Sequence, residues 1–248
     1  MMRSVQRILA IFESFSQERS TLTLQEISKR IELPKSTTFR IVQSLEESGY
    51  LIRLQDQHYC LSFRFTRLSG LVQSTLGIRE IARPFLVELA KQTQESVSIH
   101  TLIEKDRVCL DAMSTSSTLR SVIQPGEHVP ILLGTGSASK VLLAHLPDKA
   151  KAQFISAIAK TNKQSKTDLL RELSQIRTKG YAISHGERLL GVTAISTPIR
   201  DAQDEVPYCL SIGGPSVRVK THEKEFTKLA VLYAGKISLQ LGASAQAQ

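Results

Sequence analysis

Over the first quarter of this 248-residue chain the apolar residues recur with a helical period; further on, short β-rich runs and helical stretches take turns. Val5, Ile8, Leu9, Phe12 and Phe15 share one helical face and predict a first helix. Thr23-Leu24-Gln25-Glu26 fits a capping box, in which Thr23 accepts from the Glu26 amide and Glu26 reaches back. Leu22 and Ile27 stand where a hydrophobic staple would close. A second helix follows, with Leu24, Ile27 and Ile31 turned inward, and it runs out near Glu32-Leu33. Pro34 suits the first turn of a helix, so a third begins about there. Its inner face carries Thr38, Ile41, Val42 and Leu45. Gly49 ends it, and Tyr50 to Leu54 followed by His58 to Leu61 reads as a hairpin across Gln55-Asp56-Gln57.

From Ser62 to about Gln94 the pattern is helical again, punctuated by Gly77 and by Pro84, which is placed to begin a second helix there. Strands are expected at Val97 to Ile103, Val108 to Met113 and Leu119 to Ile123. Helices follow around Ser139 to Leu146, Lys149 to Ala159 and Asp168 to Lys179. Three more strands, near Tyr181 to Ser184, Val192 to Ile199 and Val206 to Ile212, precede a last helix from Thr221 to Leu241. That order predicts an α+β sheet with helices packed to one side.

Composition fits a soluble globular protein, with 41% hydrophobic and 22% charged residues. The net charge of +9 suggests a polyanionic partner or anionic ligands. Residues 1 to 65, however, hold nine Lys/Arg against seven Asp/Glu, leaving +7 of the balance to the rest. Nucleic-acid binding must therefore be argued from where charges sit. Cys60, Cys109 and Cys209 are few and far apart; they read as reduced cytoplasmic thiols and match neither a disulfide framework nor a zinc motif. The amphipathic start, MMRSVQRILAIFESF, is neither a signal peptide nor a membrane span. No cofactor or metal is expected.

The outer face of the third helix presents Lys35, Ser36, Thr37, Arg40 and Gln43, with Glu46 and Glu47 at its far end. Short hydroxyls and cations at a helix N-terminus, whose amides favour phosphate, suit entry into a major groove. Lys35, Ser36, Thr37, Thr38 and Arg40 are the candidate DNA contacts, Thr38 shared with packing, and Arg53 adds a backbone contact from the wing. Phe39 is apolar on this polar side, set either for a thymine methyl or for packing under the wing or first helix. The segment reads as a winged helix-turn-helix. A three-helix bundle for protein contacts is the alternative, and the hydroxyl-rich cationic face argues against it.

Gly134-Thr135-Gly136-Ser137-Ala138-Ser139-Lys140 is a loop entering a helix, with amides and hydroxyls able to hold a carboxylate. It is no Walker loop, because Ser139 stands where that pattern needs glycine before Lys140. Ser137-x-x-Lys140 satisfies S-x-x-K, so a small-molecule enzyme using Ser137 and Lys140 is the rival from another class. The S-D-N and K-T-G companions are absent, and no acid–base constellation accompanies it.

RSVQRILAIFESF, LTLQEISKRIELPKSTTFRIVQSLEESGYL, LLGTGSASKVLLA, IRTKGYAISHGE, GVTAISTPI and SIGGP together resemble the isocitrate lyase regulator (IclR) family of bacterial transcription factors, over Arg3 to about Gly242. The resemblance implies a winged helix-turn-helix over residues 1–62, a linker helix over 63–77 and a GAF/PAS-like, mixed α/β effector domain over 78–244. It implies a ligand-responsive regulator, repressor or activator, that binds palindromic double-stranded operator DNA as a dimer or dimer of dimers. Carried across position by position, the effector pocket takes Ser137, Ala138, Ser184, Ala194, Ser211 and Gly213. Ser184 replaces a frequent Asp, Ala194 stands where Cys occurs and Gly213 where Ser is common, so the ligand is expected to differ from those of better-known members. His185, Met113 and His100 rank below this set, and Arg120 and Arg218 read as structural ion pairs. The family suggests a small organic or aromatic carboxylate as effector.

Overall fold

The computed structural model describes residues 3–16, 19–68, 77–115, 123–162 and 165–244. It divides into two compact units, Met1–Leu76 and Gly77–Gln248.

The first unit contains α1 (Arg3–Glu13), β1 (Thr21–Thr23), α2 (Leu24–Arg30), α3 (Lys35–Glu47), β2 (Leu51–Arg53) and β3 (His58–Leu61). Local chemistry sets its helix ends. The Glu26 amide donates to Thr23 Oγ1 at 3.3 Å while the Thr23 amide donates to Glu26 Oε2 at 2.8 Å. Leu22 and Ile27, at 1% and 0% exposure, close the staple into the core with Ile11, Val42, Leu45, Leu51 and Tyr59. The tight turn between α2 and α3 is fastened by Ser28 Oγ, which donates to the Leu33 carbonyl at 2.7 Å. Pro34 caps α3 from just outside it, so the helix begins at Lys35. Gly49, at φ +74°, ends α3 where a side chain would be strained, and the Tyr50 amide turns back to the Leu45 carbonyl at 2.8 Å.

The first helix differs from expectation in one respect. Ile11 is its fully buried residue, with Ile8 and Phe12 beside it, whereas Val5 and Leu9 are 43% and 46% exposed. The core-facing stripe is thus rotated from the predicted one. The wing also gains a strand, because β1 pairs with β3 to make a three-stranded antiparallel sheet in the order β1-β3-β2. Residues 64–68 are helical, and the remainder of the expected linker helix, residues 69–76, lies outside the described residues.

The second unit opens with α4 (Ile78–Thr93), capped by Gly77. Pro84 lies inside α4 rather than at the start of a new helix. A six-stranded antiparallel sheet follows, in the order β6-β5-β4-β9-β8-β7. Its strands are β4 (Ser96–Ile103), β5 (Asp106–Met113), β6 (His128–Pro130), β7 (Ala182–His185), β8 (Val192–Ile199) and β9 (Tyr208–Pro215). The helices are α5 (Ser137–His145), α6 (Asp148–Asn162), α7 (Lys166–Lys179), α8 (Ser216–Val219) and α9 (Glu223–Gln240). Most of the expected strand at Leu119 to Ile123 lies outside the described residues, and β6 was not anticipated.

Helices cover both faces of the sheet, correcting the one-sided packing read from element order. Val97, Ile99, Ile195, Ile199, Leu210 and Ile212 pack against α4 and α9. Cys209 and Ala182, of opposite strand phase, pack with α5, α6 and α7. Strands enclosed on both sides need near-continuous burial, which is what Ser96 to His100 shows. Among the described residues, no helix is long and apolar enough to cross a membrane.

Candidate functional site

On α3, Lys35, Ser36 and Arg40 are exposed and Thr37 is half-buried. The first turn carries no acidic residue, so nothing there opposes an approaching phosphate. Thr38 is different. It is fully buried and its Oγ1 donates to the Pro34 carbonyl at 3.2 Å, so it belongs to the core and leaves the set of contact candidates. Phe39 is 44% exposed rather than packed away, standing next to Arg40 on the polar face. Arg53 is exposed on the wing, where it bonds Gln57 and lies 5.9 Å from the Tyr59 ring centroid.

In the second unit, all six residues carried over for the pocket line a single cavity of about 510 Å³, counted with its open mouth. Strand register explains why. Ser184, Ala194, Gly213 and Ser96 are successive cross-strand partners on β7, β8, β9 and β4. Ser196, Ser211 and Ser98 form the neighbouring row. The inner sheet face is therefore paved with small side chains, and α5 bridges over the gap they leave.

Hydroxyls tie helix to floor. Ser137 Oγ lies 2.8 Å from Ser196 Oγ, which lies 2.7 Å from Ser211 Oγ. The Ser137 amide donates to Ser184 Oγ at 3.1 Å. The Gly136 amide donates to Glu187 Oε2 at 2.9 Å, leaving the next first-turn amides of α5 without intrahelical partners.

Lys140 does not serve Ser137. Its Nζ donates to Glu172 Oε1 at 2.7 Å and to Glu187 Oε1 at 2.8 Å. Burial opposes its charge, but the two carboxylates outweigh burial and raise its pKa, so it is no general base. The two buried cysteines are equally quiet: burial pushes the Cys109 thiol up to about 11 and the Cys209 thiol up to about 12.

Two residues of this cavity were undervalued or missed from sequence. His100 is fully buried, with Nε2 2.9 Å from Ser98 Oγ. Burial, with Arg107 and Arg188 nearby, holds its pKa well below 6.5, so the ring is neutral. Arg107, at the start of β5, is 7% exposed and also lines the cavity, as does Arg188, paired with Glu127. His185 instead lies 3.1 Å from Thr193 Oγ1 and 3.4 Å from Glu223. Arg218 is a structural partner, its Nε 2.6 Å from Glu95 Oε1; Arg120 lies outside the described residues.

Comparison with known proteins now bears on this geometry. The family model described as bacterial transcriptional regulator IclR C-terminal matches residues 71–239, and the IclR helix-turn-helix domain matches residues 4–54. The chain belongs to the IclR family. It is a ligand-responsive, DNA-binding transcriptional regulator. The Ser137/Lys140 enzyme reading falls with that assignment. Among relatives, the DNA-binding transcriptional repressor YiaJ of Escherichia coli is 28% identical, covering 97% of this chain and 88% of its own. An IclR-family regulator structure from a Silicibacter species superposes with a TM-score of 0.87 at 20% identity, covering 99% of this chain and 98% of that one. An IclR homologue from Microbacterium hydrocarbonoxydans, solved with 4-hydroxybenzoate, superposes with a TM-score of 0.59 at 21% identity, covering 97% and 100%.

Proposed function

We propose that this IclR-family chain binds a palindromic operator through α3 and the wing, and that a small organic or aromatic acid in the cavity beneath α5 changes its operator affinity. Lys35, Ser36, Thr37 and Arg40 make the groove and phosphate contacts, with Arg53 on the backbone. Ser137, Ala138, Ser184, Ala194, Ser211 and Gly213 hold the effector. The observation that carries the sensing half is the convergence of these six residues from α5, β7, β8 and β9 on one cavity. The 4-hydroxybenzoate complex of the Microbacterium relative supports an acid as ligand. Exposed Val5 and Leu9 on α1 support self-association, as a dimer or dimer of dimers.

The test is fluorescence anisotropy on operator fragments selected from random duplexes, with and without 4-hydroxybenzoate and a panel of aliphatic acids. Arg40→Ala is expected to weaken binding by about 1–3 kcal/mol if Arg40 reads a base edge. Unchanged affinity and salt slope in that variant would remove Arg40 from the interface. Thermal shifts on the same panel report the cavity, because a ligand of the native state raises Tm. No shift across the panel would count against the pocket chemistry.

A further inference from the structure

Among the described residues, every charged side chain around the cavity but one has a partner. Lys140 is clasped by Glu172 and Glu187, and Arg188 is paired with Glu127. Arg107 is the exception. It is more than nine-tenths buried, its Nε has no hydrogen-bond partner, and it forms no ion pair among the described residues. His100 is fully buried beside the same space and its Nδ1 is likewise unpartnered. Both residues line the cavity. Their common aim follows from register: Leu102 pairs with Arg107 and His100 with Cys109, so the two point from β4 and β5 to one face of the sheet.

A buried guanidinium without an anion is costly, and the usual remedy, losing a proton, is closed to arginine. The arrangement is therefore fit for a ligand that brings one negative charge. The planar fork of arginine matches a carboxylate with two parallel hydrogen bonds. Ser98 Oγ, 2.9 Å from Nε2, is able to donate to it; in that tautomer the neutral His100 ring carries its proton on Nδ1 and is an additional donor. Elsewhere in the cavity the groups are of another kind, namely the neutral hydroxyls of Ser137 on α5, Ser184 on β7 and Ser211 on β9. In the sheet, Arg107 on β5 is separated from Ser184 on β7 by β4, β9 and β8.

We propose that Arg107, assisted by His100, is the carboxylate anchor of the effector, and that the serine end receives an uncharged hydroxyl or carbonyl. This rests on the cavity being the effector site, and narrows the effector to a hydroxy- or oxo-monocarboxylate lying across the sheet. It places the carboxylate away from the α5 entrance, where the loop alone would have put it.

The experiment is a thermal-shift titration of the full chain with acetate, acetamide, glycolate and 4-hydroxybenzoate against equal ionic strength of chloride. Wild type, Arg107→Met, Arg107→Lys and Ser137→Ala are compared. Carboxylates are expected to raise the wild-type Tm while acetamide does not. In Arg107→Met the carboxylate response weakens at least about tenfold, and Arg107→Lys keeps part of it. Ser137→Ala keeps the acetate response but loses the advantage of glycolate over acetate. Without ligand, Arg107→Met melts no lower than wild type, because an unpaired buried charge has been removed. An acetate response that survives in Arg107→Met and disappears in Ser137→Ala would move the carboxylate to the α5 entrance, overturning this proposal and leaving the pocket reading intact. A wild-type chain indifferent to the whole series overturns both, and an equal response in all four proteins marks nonspecific salt effects and overturns the proposal.

Discussion

Gly214→Ala probes how tightly the end of β9 is fitted beside the cavity. A Cβ added at Gly214 would stand 2.2 Å from Glu95 Oε2 and 2.5 Å from its Cδ, far inside contact distance. Glu95 has little room to yield. It is 1% exposed, and its two oxygens accept from Arg218 Nε at 2.6 Å and Nη2 at 2.9 Å. Overpacking of a filled site costs about 1–3 kcal/mol. Displacing the carboxylate from Arg218 adds to this. Because the Arg218 side chain is 37% exposed, solvent screens the pair and only part of the roughly 3–5 kcal/mol typical of a broken buried pair applies. The sum is about 2–4 kcal/mol, or a fall in Tm of roughly 4–16 °C for a unit of this size. Thermal melts followed by circular dichroism on a double-mutant cycle give the answer. In a Glu95→Ala background, where the obstructing carboxylate is gone, Gly214→Ala is expected to cost less than about 1 kcal/mol. An equal cost in both backgrounds would refute the reasoning, since the penalty would then not arise from Glu95.

Other expectations follow from burial and titration. Since His100 titrates well below 6.5 in the folded chain, the unfolded chain takes up a proton near pH 6.5 that the native state refuses. Stability is therefore present above about pH 6.5 and declines on acidification, by up to about 1.4 kcal/mol per pH unit. His145, also depressed by burial, contributes with the same sign. Melts of wild type and His100→Gln between about pH 8 and pH 5 should show a flatter profile for the variant, and identical slopes would exclude His100 as a source. Phe39→Ala and Thr38→Ala should separate contact from packing. The first is expected to weaken operator binding about five- to tenfold at unchanged stability. The second is expected to cost about 0.5–1.5 kcal/mol in urea unfolding at unchanged operator affinity. The opposite pattern would return Thr38 to the interface.

What could be read directly from the sequence was decided by local physics. The capping box at Thr23 and Glu26, the staple of Leu22 and Ile27 and the turn at Gly49 involve neighbours within a few residues, and each stands where its pattern put it. Features set by distant partners were not legible. The stripe of α1 turned toward Ile11 because the surrounding core, not the helix, chose which apolar residues to cover. The strands β1 and β6 span three residues each, too short for an alternating pattern to show. Arg107 begins a strand with an acidic neighbour and resembles any surface arginine; only the folded sheet encloses it. The six carried-over residues came together because their strands register side by side, a relation spread over some eighty residues of chain.

The paving of small residues under α5 also bears on how such sensors diversify. Ala194 and Gly213 are adjacent tiles on two neighbouring strands, held there by backbone pairing that is indifferent to side-chain size. Enlarging either one trims the chamber by a methyl group or so, inside the proposed effector site. A descendant could thus exchange one metabolite for another through one or two substitutions, leaving the proposed operator-reading face of α3 untouched. Vocabulary and grammar are kept apart in this chain: what it hears can change while what it says to DNA stays the same.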